Sequence, residues 1–166
     1  DLYLGIECGL EDVLLKQEKG NTLAEAELAI QRLHESGIEY DAHIMTGICG
    51  RGRWKENAAA LADFFNRSKP KRICNFSLFI HRGSPLYQDV LNGGFLPANT
   101  LETLREELAL LQQLQGFSCV YDGLHDFVPA RIRGRLPADQ EKMCRHLERE
   151  IHRLETNPSL VKTPIV

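Results

Sequence analysis

The chain opens on a compact apolar run, Leu2-Tyr-Leu-Gly-Ile6, closed by Glu7, Cys8 and Gly9. An uncharged run of this length predicts a strand buried on both faces, as parallel sheets use. A second run, Tyr40 to Thr46, leads into the glycine-rich Gly47-Ile-Cys-Gly-Arg-Gly52, and a third, Ile73 to Ile80, leads into His81-Arg-Gly-Ser-Pro-Leu-Tyr87. Between these runs the apolar period lengthens to that of a helix. Asp12 to Lys16 forms a short helical turn. Thr22-x-x-Glu25 is a capping box for a helix with Ala26, Ile30 and Leu33 on one face and Gly37 at its end. Trp54, Ala58, Leu61 and Phe65 mark a helix from about Arg53 to Arg67, with Pro70 ending it. Leu101, Leu104, Leu108 and Leu111 mark another from Thr100 to about Gln115, stopped by Gly116. Met143, Leu147, Ile151 and Leu154 mark the last, with Pro137 expected in its first turn.

Strand starts near residues 2, 40 and 73 repeat at the length of a βαβ unit, so the crossovers should be right-handed and the sheet parallel. The stretch from Phe117 to Tyr121 could add a strand. Residues 122–135 read as a loop over the surface, and the tail from Thr156 as extended chain. All of this forms a single domain over residues 1–166, with βα units in 1–90 and a C-terminal helical extension in 91–166. At 166 residues the chain is too short for a closed barrel, which takes about 250. An open sheet leaves the first strand as an apolar edge, which stable proteins cover. The expected cover is strands preceding Asp1, a second copy, or the chain's own C-terminal segment. A start at Asp1 in place of Met reads as a cut piece.

Composition narrows the partners. Net charge is −3, which offers no strong field toward nucleic acid or anionic membrane, and no apolar run approaches a membrane span. The cysteines Cys8, Cys49, Cys74, Cys119 and Cys144 are scattered and odd in number. That excludes a disulfide framework and a zinc site by spacing, and fits a reduced, cytoplasmic compartment. Cys74 and Cys144 are expected as small buried apolar residues.

Candidate chemistry gathers where parallel strands end, because such ends share one rim. Glu7 follows a buried strand and needs a partner: a ligand, or an ion pair with Lys19 or an arginine. Gly47-x-x-Gly50-x-Gly52 is either a tight strand-to-helix turn or a cradle whose N–H groups face an anion. His43 is a hydrogen-bonded core histidine or a ligand-facing one. His34, His146 and His152 lie on helices and are expected in solvent, and His81 and His125 lie in loops. Arg131-Ile-Arg-Gly-Arg135 is a basic cluster expected to pair with nearby acids. No nucleophile elbow or Walker loop is present.

Three stretches together resemble the radical S-adenosylmethionine (SAM) superfamily. Leu2-Tyr-Leu-Gly-Ile-Glu-Cys-Gly-Leu10 with Val13-Leu-Leu15 and Lys19-Gly20 resembles that family's fourth strand and following turn. His43-Ile-Met-Thr-Gly-Ile-Cys-Gly50 resembles its fifth strand and loop, and Gly83-Ser-Pro-Leu-Tyr87 the segment after its sixth. The branch resembled includes elongator-subunit-3, tRNA-methylthiotransferase and coproporphyrinogen-dehydrogenase-like proteins. The resemblance covers about residues 1 to 90. It implies an α/β fold that is a partial TIM-type (βα) barrel fragment, about three parallel strands followed by C-terminal helices.

It implies that the parent protein is a radical SAM oxidoreductase, in which a [4Fe–4S] cluster reductively cleaves SAM to start radical chemistry on a small-molecule or RNA substrate. It implies that Glu7 contacts the ribose or methionine part of SAM with Cys8 beside it, that Lys19 reaches the SAM carboxylate, and that His43 faces the ribose. Gly47, Ile48 and Cys49 would pack along the adenine. The sequence departs from the family pattern at Cys8, where Ser or Thr is usual, at Ile48-Cys49, where Leu-Pro is usual, and at Arg51, where Glu is common. No Cys-x3-Cys-x2-Cys run is present, so the cluster ligands are absent from this chain and the isolated fragment is expected to be inactive. The alternative is a stand-alone α/β domain that binds a nucleotide or phosphate ligand without redox chemistry.

Overall fold

Thr22 and Glu25 form the capping box that the sequence predicts. The Glu25 N–H donates to Thr22 Oγ1 at 3.1 Å, and the Thr22 N–H donates to Glu25 Oε2 at 2.8 Å. Asn99 and Glu102 repeat the device at a later helix. The structure is a computed structural model and describes residues 2–125 and 127–166. Asp1, and Asp126 within the expected surface loop, lie outside the described residues. The elements in chain order are β1 (Leu2–Glu7), α1 (Glu11–Lys16), α2 (Leu23–Glu35), β2 (Tyr40–Thr46), α3 (Trp54–Ser68), β3 (Arg72–Ser77), α4 (Pro85–Leu91), α5 (Thr100–Gln113), β4 (Cys119–Gly123), β5 (Ile132–Leu136) and α6 (Gln140–Thr156).

The strands form one open five-stranded sheet in the order β1-β2-β3-β4-β5. The first four run parallel, and β5 returns antiparallel to β4. The α/β class is as expected. The sheet holds more than the expected three parallel strands, and it takes in β4 and β5 from the region expected as a helical extension. The reading of residues 122–135 as a surface loop is corrected at both ends: Asp122 and Gly123 close β4, and residues 132–135 belong to β5. There a strand forms because Ile132 and Leu136 turn into the core while Arg133 and Arg135 turn out. That is a strand alternation, shortened by Gly134 between two arginines. Pro137 precedes the last helix instead of opening it, since Asp139 is the cap residue and the helix begins at Gln140. β3 ends at Ser77, short of Ile80, and α4 has no expected counterpart.

Sheet and helices meet on one face. Tyr40, Ala42 and Ile44 of β2, Ile73 of β3, Tyr121 of β4 and Ile132 of β5 join Ile30, Leu61, Phe65, Leu111 and Leu147 in a single core. Many of these side chains are 0–1% exposed, and each fully buried one contributes roughly 1.5–3 kcal/mol. A cap contributes about 1 kcal/mol. Burial against the sheet, more than capping, therefore holds the helices in place. Alternation sends Tyr3, Asp41, His43, Met45, Arg72, Cys74 and Phe76 to the opposite face, called the open face below.

The C-terminal segment does not cover β1. The Ile80 N–H donates to Pro164 O at 2.6 Å, and the Val166 N–H donates to Ile80 O at 2.9 Å. The tail thus pairs beyond the end of β3, with Ile165 beside Ile80. β1 remains the edge of the sheet, with Leu2 and Tyr3 exposed.

Candidate functional site

Glu7 ends β1 in a left-handed backbone conformation, φ 65°, at an irregularity in the pairing of β1 with β2. The turn folds its side chain back over Gly5. A Cβ on Gly5 would collide with Glu7 Oε1 and stand 2.8 Å from Lys19 Nζ. Glu7 and Lys19 form an ion pair at 2.8 Å, each about a quarter exposed. Of the two readings of Glu7, the ion pair with Lys19 is therefore realised in the structure. Because Gly5 is the register partner of His43, the pair stands beside His43 on the open face.

His43 contributes to a row of rings across the strands. Its centroid lies 5.1 Å from that of Tyr3 and 5.3 Å from that of Phe76, and Phe76 stacks on His125 at 3.9 Å. Asp41 lies on the same face beside Arg72, at 3.7 Å. Both Asp41 carboxylate oxygens are buried with no hydrogen-bond partner among the described residues. The open face thus carries an acid and a base at the end of β1, with a row of rings reaching across the sheet.

Cys8, Ile48 and Cys49 are brought together elsewhere. They pack with Leu10, Val13 and Leu14 in a small apolar cluster. The Cys8 thiol is fully buried. A hydrogen bond with Cys49 holds Cys8 below the usual thiol range, against the effect of burial. The same bond, with burial adding to it, pushes Cys49 well above that range. These two thiols face each other inside the protein.

The glycine loop is a strand-to-helix turn whose N–H groups are already engaged. The Gly47 N–H donates to Glu106 Oε2 at 3.0 Å, and the Gly52 N–H to Glu102 Oε1 at 2.7 Å. The Arg51 N–H donates to Leu96 O at 2.8 Å, and the Gly50 N–H to Gly47 O at 3.1 Å. Carboxylates and carbonyls of the chain itself take the places an anion would fill.

Glu106 was not legible as part of this rim. It is buried on α5 and also accepts from Asn57 Nδ2 at 2.6 Å, while Asn57 Oδ1 accepts from the Gly9 N–H at 2.8 Å. One buried carboxylate thereby ties the loop after β1 to the loop after β2. Its neighbour Glu107 accepts from Asn75 Nδ2 at 2.8 Å and from the Tyr121 hydroxyl at 3.0 Å, both on Oε1. Burial pushes both carboxyls up to about 7, partly offset by these hydrogen bonds. A signal existed in the sequence: Glu107 sits three residues after Leu104 and four before Leu111, on the stripe that faces the core.

Among the described residues no group of three or more His, Cys, Asp or Glu side chains could hold a metal ion. The cysteines are all buried and free. Among the described residues no helix is long and apolar enough to cross a membrane. No protein-family model matches the chain, and no curated protein matches it.

Proposed function

We propose that the chain is the C-terminal half of a radical SAM oxidoreductase barrel and supplies one side of its SAM site. The observation that carries this reading is the placement of Glu7, Lys19 and His43 on the open face, at and beside the carboxyl end of β1. SAM is a zwitterion with a ribose and a flat base. An acid, a base and a row of rings on one surface suit those groups. Sequential parallel strands with helices on a single face also suit one side of a βα barrel, whose interior would be the open face.

Glu7 would accept from the ribose hydroxyls or the amino group, Lys19 would hold the carboxylate, and the His43 ring would lie along the ribose. Cys8, Ile48 and Cys49 would shape the rim from beneath through their apolar cluster, without touching the ligand. In the parent enzyme a [4Fe–4S] cluster held by residues outside this chain would supply the electron for SAM cleavage. The cysteines of this chain do not fit such a cluster, so no redox step is assigned to its residues. The exposed edge of β1 would pair with a further strand, from the other half of the barrel or from a second copy.

Two measurements test the reading. The coding sequence upstream of Asp1 should contain Cys-x3-Cys-x2-Cys within about 130 residues, the room that three preceding βα units take. Its absence would sink the assignment. Equilibrium dialysis of SAM against the full-length protein should show binding that Glu7→Gln weakens by roughly tenfold or more. Unchanged affinity in that variant would remove Glu7 from the site.

A further inference from the structure

The loops after β1 and β2 are both tied to Glu106 of α5. Its Oε2 accepts from the Gly47 N–H at 3.0 Å, and its Oε1 accepts from Asn57 Nδ2 at 2.6 Å. Asn57, buried on α3, passes the tie on, because its Oδ1 accepts from the Gly9 N–H at 2.8 Å. Gly9 is pressed onto α3, where an added Cβ would meet the Leu61 backbone nitrogen at 2.7 Å. The Cys8 N–H donates to Ile6 O at 2.8 Å across the turn in which Glu7 is left-handed. Fixing Gly9 therefore fixes the turn that aims Glu7 over Gly5 toward Lys19.

This junction requires an acceptor at both oxygens. Each oxygen of Glu106 meets an N–H donor, and the two donors lead to different loops. A neutral carboxyl carries a proton on one oxygen, which then donates. It satisfies one of the two donors and confronts the other. Glu107, next in the chain, is arranged otherwise: Oε1 alone takes both of its hydrogen bonds, from Asn75 and Tyr121. A proton on its Oε2 disturbs neither. Burial pushes Glu106 up to about 7, so both of its forms are populated near neutral pH. The groups facing it are Glu102 and Glu107 on α5, Cys8 and Cys49 from the two loops, and Tyr121 from β4. The bond with Cys8, together with burial, keeps Cys49 above the neutral range, and burial does the same for Tyr121. Its bond with Cys49 holds Cys8 below the usual thiol range, and burial pushes Glu107 up to about 7. Those two are the groups to be told apart from Glu106.

We propose that Glu106 is a positioning residue for the rim: its charged form holds the loops after β1 and β2 in one arrangement, and its neutral form releases one of them. The rim then presents Glu7 and the turn from Gly47 to Gly50 together only while Glu106 is ionised. Glu106 is 1% exposed, so it acts through the backbone it holds and not by touching a ligand. The inference rests on the proposed SAM site for the identity of that ligand, and on the hydrogen bonds alone for the coupling of the loops.

The test is a pH titration of the backbone amides by two-dimensional NMR on the full chain. Gly9 and Gly47 should shift together with one midpoint near 7, and Gly37, in an open turn, should not follow it. Glu107→Gln should keep the shared midpoint, and Glu106→Gln should abolish it at both glycines. Separate midpoints for Gly9 and Gly47, or none between about pH 5.5 and 8.5, would overturn the proposal. So would a midpoint that survives in Glu106→Gln, which would belong to Cys8 or Glu107. The wild type and Glu107→Gln decide the matter even where Glu106→Gln folds poorly. Equilibrium dialysis of SAM against the full-length protein reads the consequence. Wild type should bind more tightly than Glu106→Gln by about fivefold or more at about pH 8.5, and nearly equally at about pH 6. The same ratio at both pH values would overturn the positioning role. Failure of the wild type to bind SAM at either pH would dismiss the SAM reading instead, and the glycine titration would still decide the coupling.

Discussion

Glu7 Oε1 and Lys19 Nζ stand 2.8 Å apart over the α-carbon of Gly5, in the space where any other residue at that position would place its side chain. The pair is possible because residue 5 is glycine and because Glu7 adopts a left-handed conformation. The atoms in the way are the free ends of two flexible side chains. Gly5→Ala should therefore move the pair aside and cost only about 1 kcal/mol in chemical denaturation, the scale of a partly exposed ion pair. Gly9 is the opposite case. There a Cβ would meet the Leu61 backbone nitrogen at 2.7 Å, and backbone does not step aside. Gly9→Ala should cost more than about 2 kcal/mol, and equal costs for the two variants would contradict the geometry.

Glu106 and Glu107 should respond differently to the same change. Glu106 uses both carboxylate oxygens, each against an N–H donor. In Glu106→Gln one donor would face another, at a cost of about 1–3 kcal/mol. Glu107 receives both of its hydrogen bonds on Oε1, so Glu107→Gln keeps them, removes the buried charge, and should be more stable than wild type at neutral pH by on the order of 3 kcal/mol. Urea midpoints of the two variants at neutral pH decide the matter.

Stability should fall as the pH rises from about 4.5 to about 7. Both buried carboxyls move from 4.5 up to about 7 on folding, so in that window the folded chain binds more protons than the unfolded one. Their protonated forms favour the fold below the unfolded value, and that benefit is gone above the folded one. At about 1.4 kcal/mol per unit it is on the order of 3 kcal/mol per group. Asp12, Glu25 and Glu27 are held below the ordinary carboxylate range, so their contributions fade only at lower pH. Denaturation at pH 5 and pH 8 should show the difference, and Glu107→Gln should remove about half of it.

The native chain should present no fast-reacting thiol to a colorimetric disulfide reagent, because all five cysteines are buried. Five should react in denaturant. A rapid native reaction at Cys8 or Cys49 would show that their apolar cluster opens readily.

The frame of the molecule was readable where local chemistry and packing agree. Thr22 and Glu25 announced a helix, and Tyr40 to Thr46 had the length and apolarity of a buried strand. β5 was not readable, because Arg131 to Arg135 carries three charges and a glycine, and only its pairing with β4 makes Ile132 an inward residue. α4 was hidden behind Gly83-Ser-Pro, whose Ser84 turns out to cap it. At the rim, sequence named Glu7, Lys19 and His43, which the fold gathers on one face. It could not name Glu106, whose partners lie 49 and 59 residues away. Nor could it show that Cys8 and Cys49 face each other instead of the open face.

The engaged N–H groups from Gly47 to Gly52 bear on how this chain can vary in length. Surface loops ordinarily absorb insertions. This one is tied at Gly47, Arg51 and Gly52 to Glu106, Leu96 and Glu102, and it has no slack to take up another residue. The turn around Gly37 is different: it faces open space and ends beside the exposed Ile38. Related chains that differ in length should therefore gain or lose residues there, while the span from Gly47 to Gly52 keeps its count.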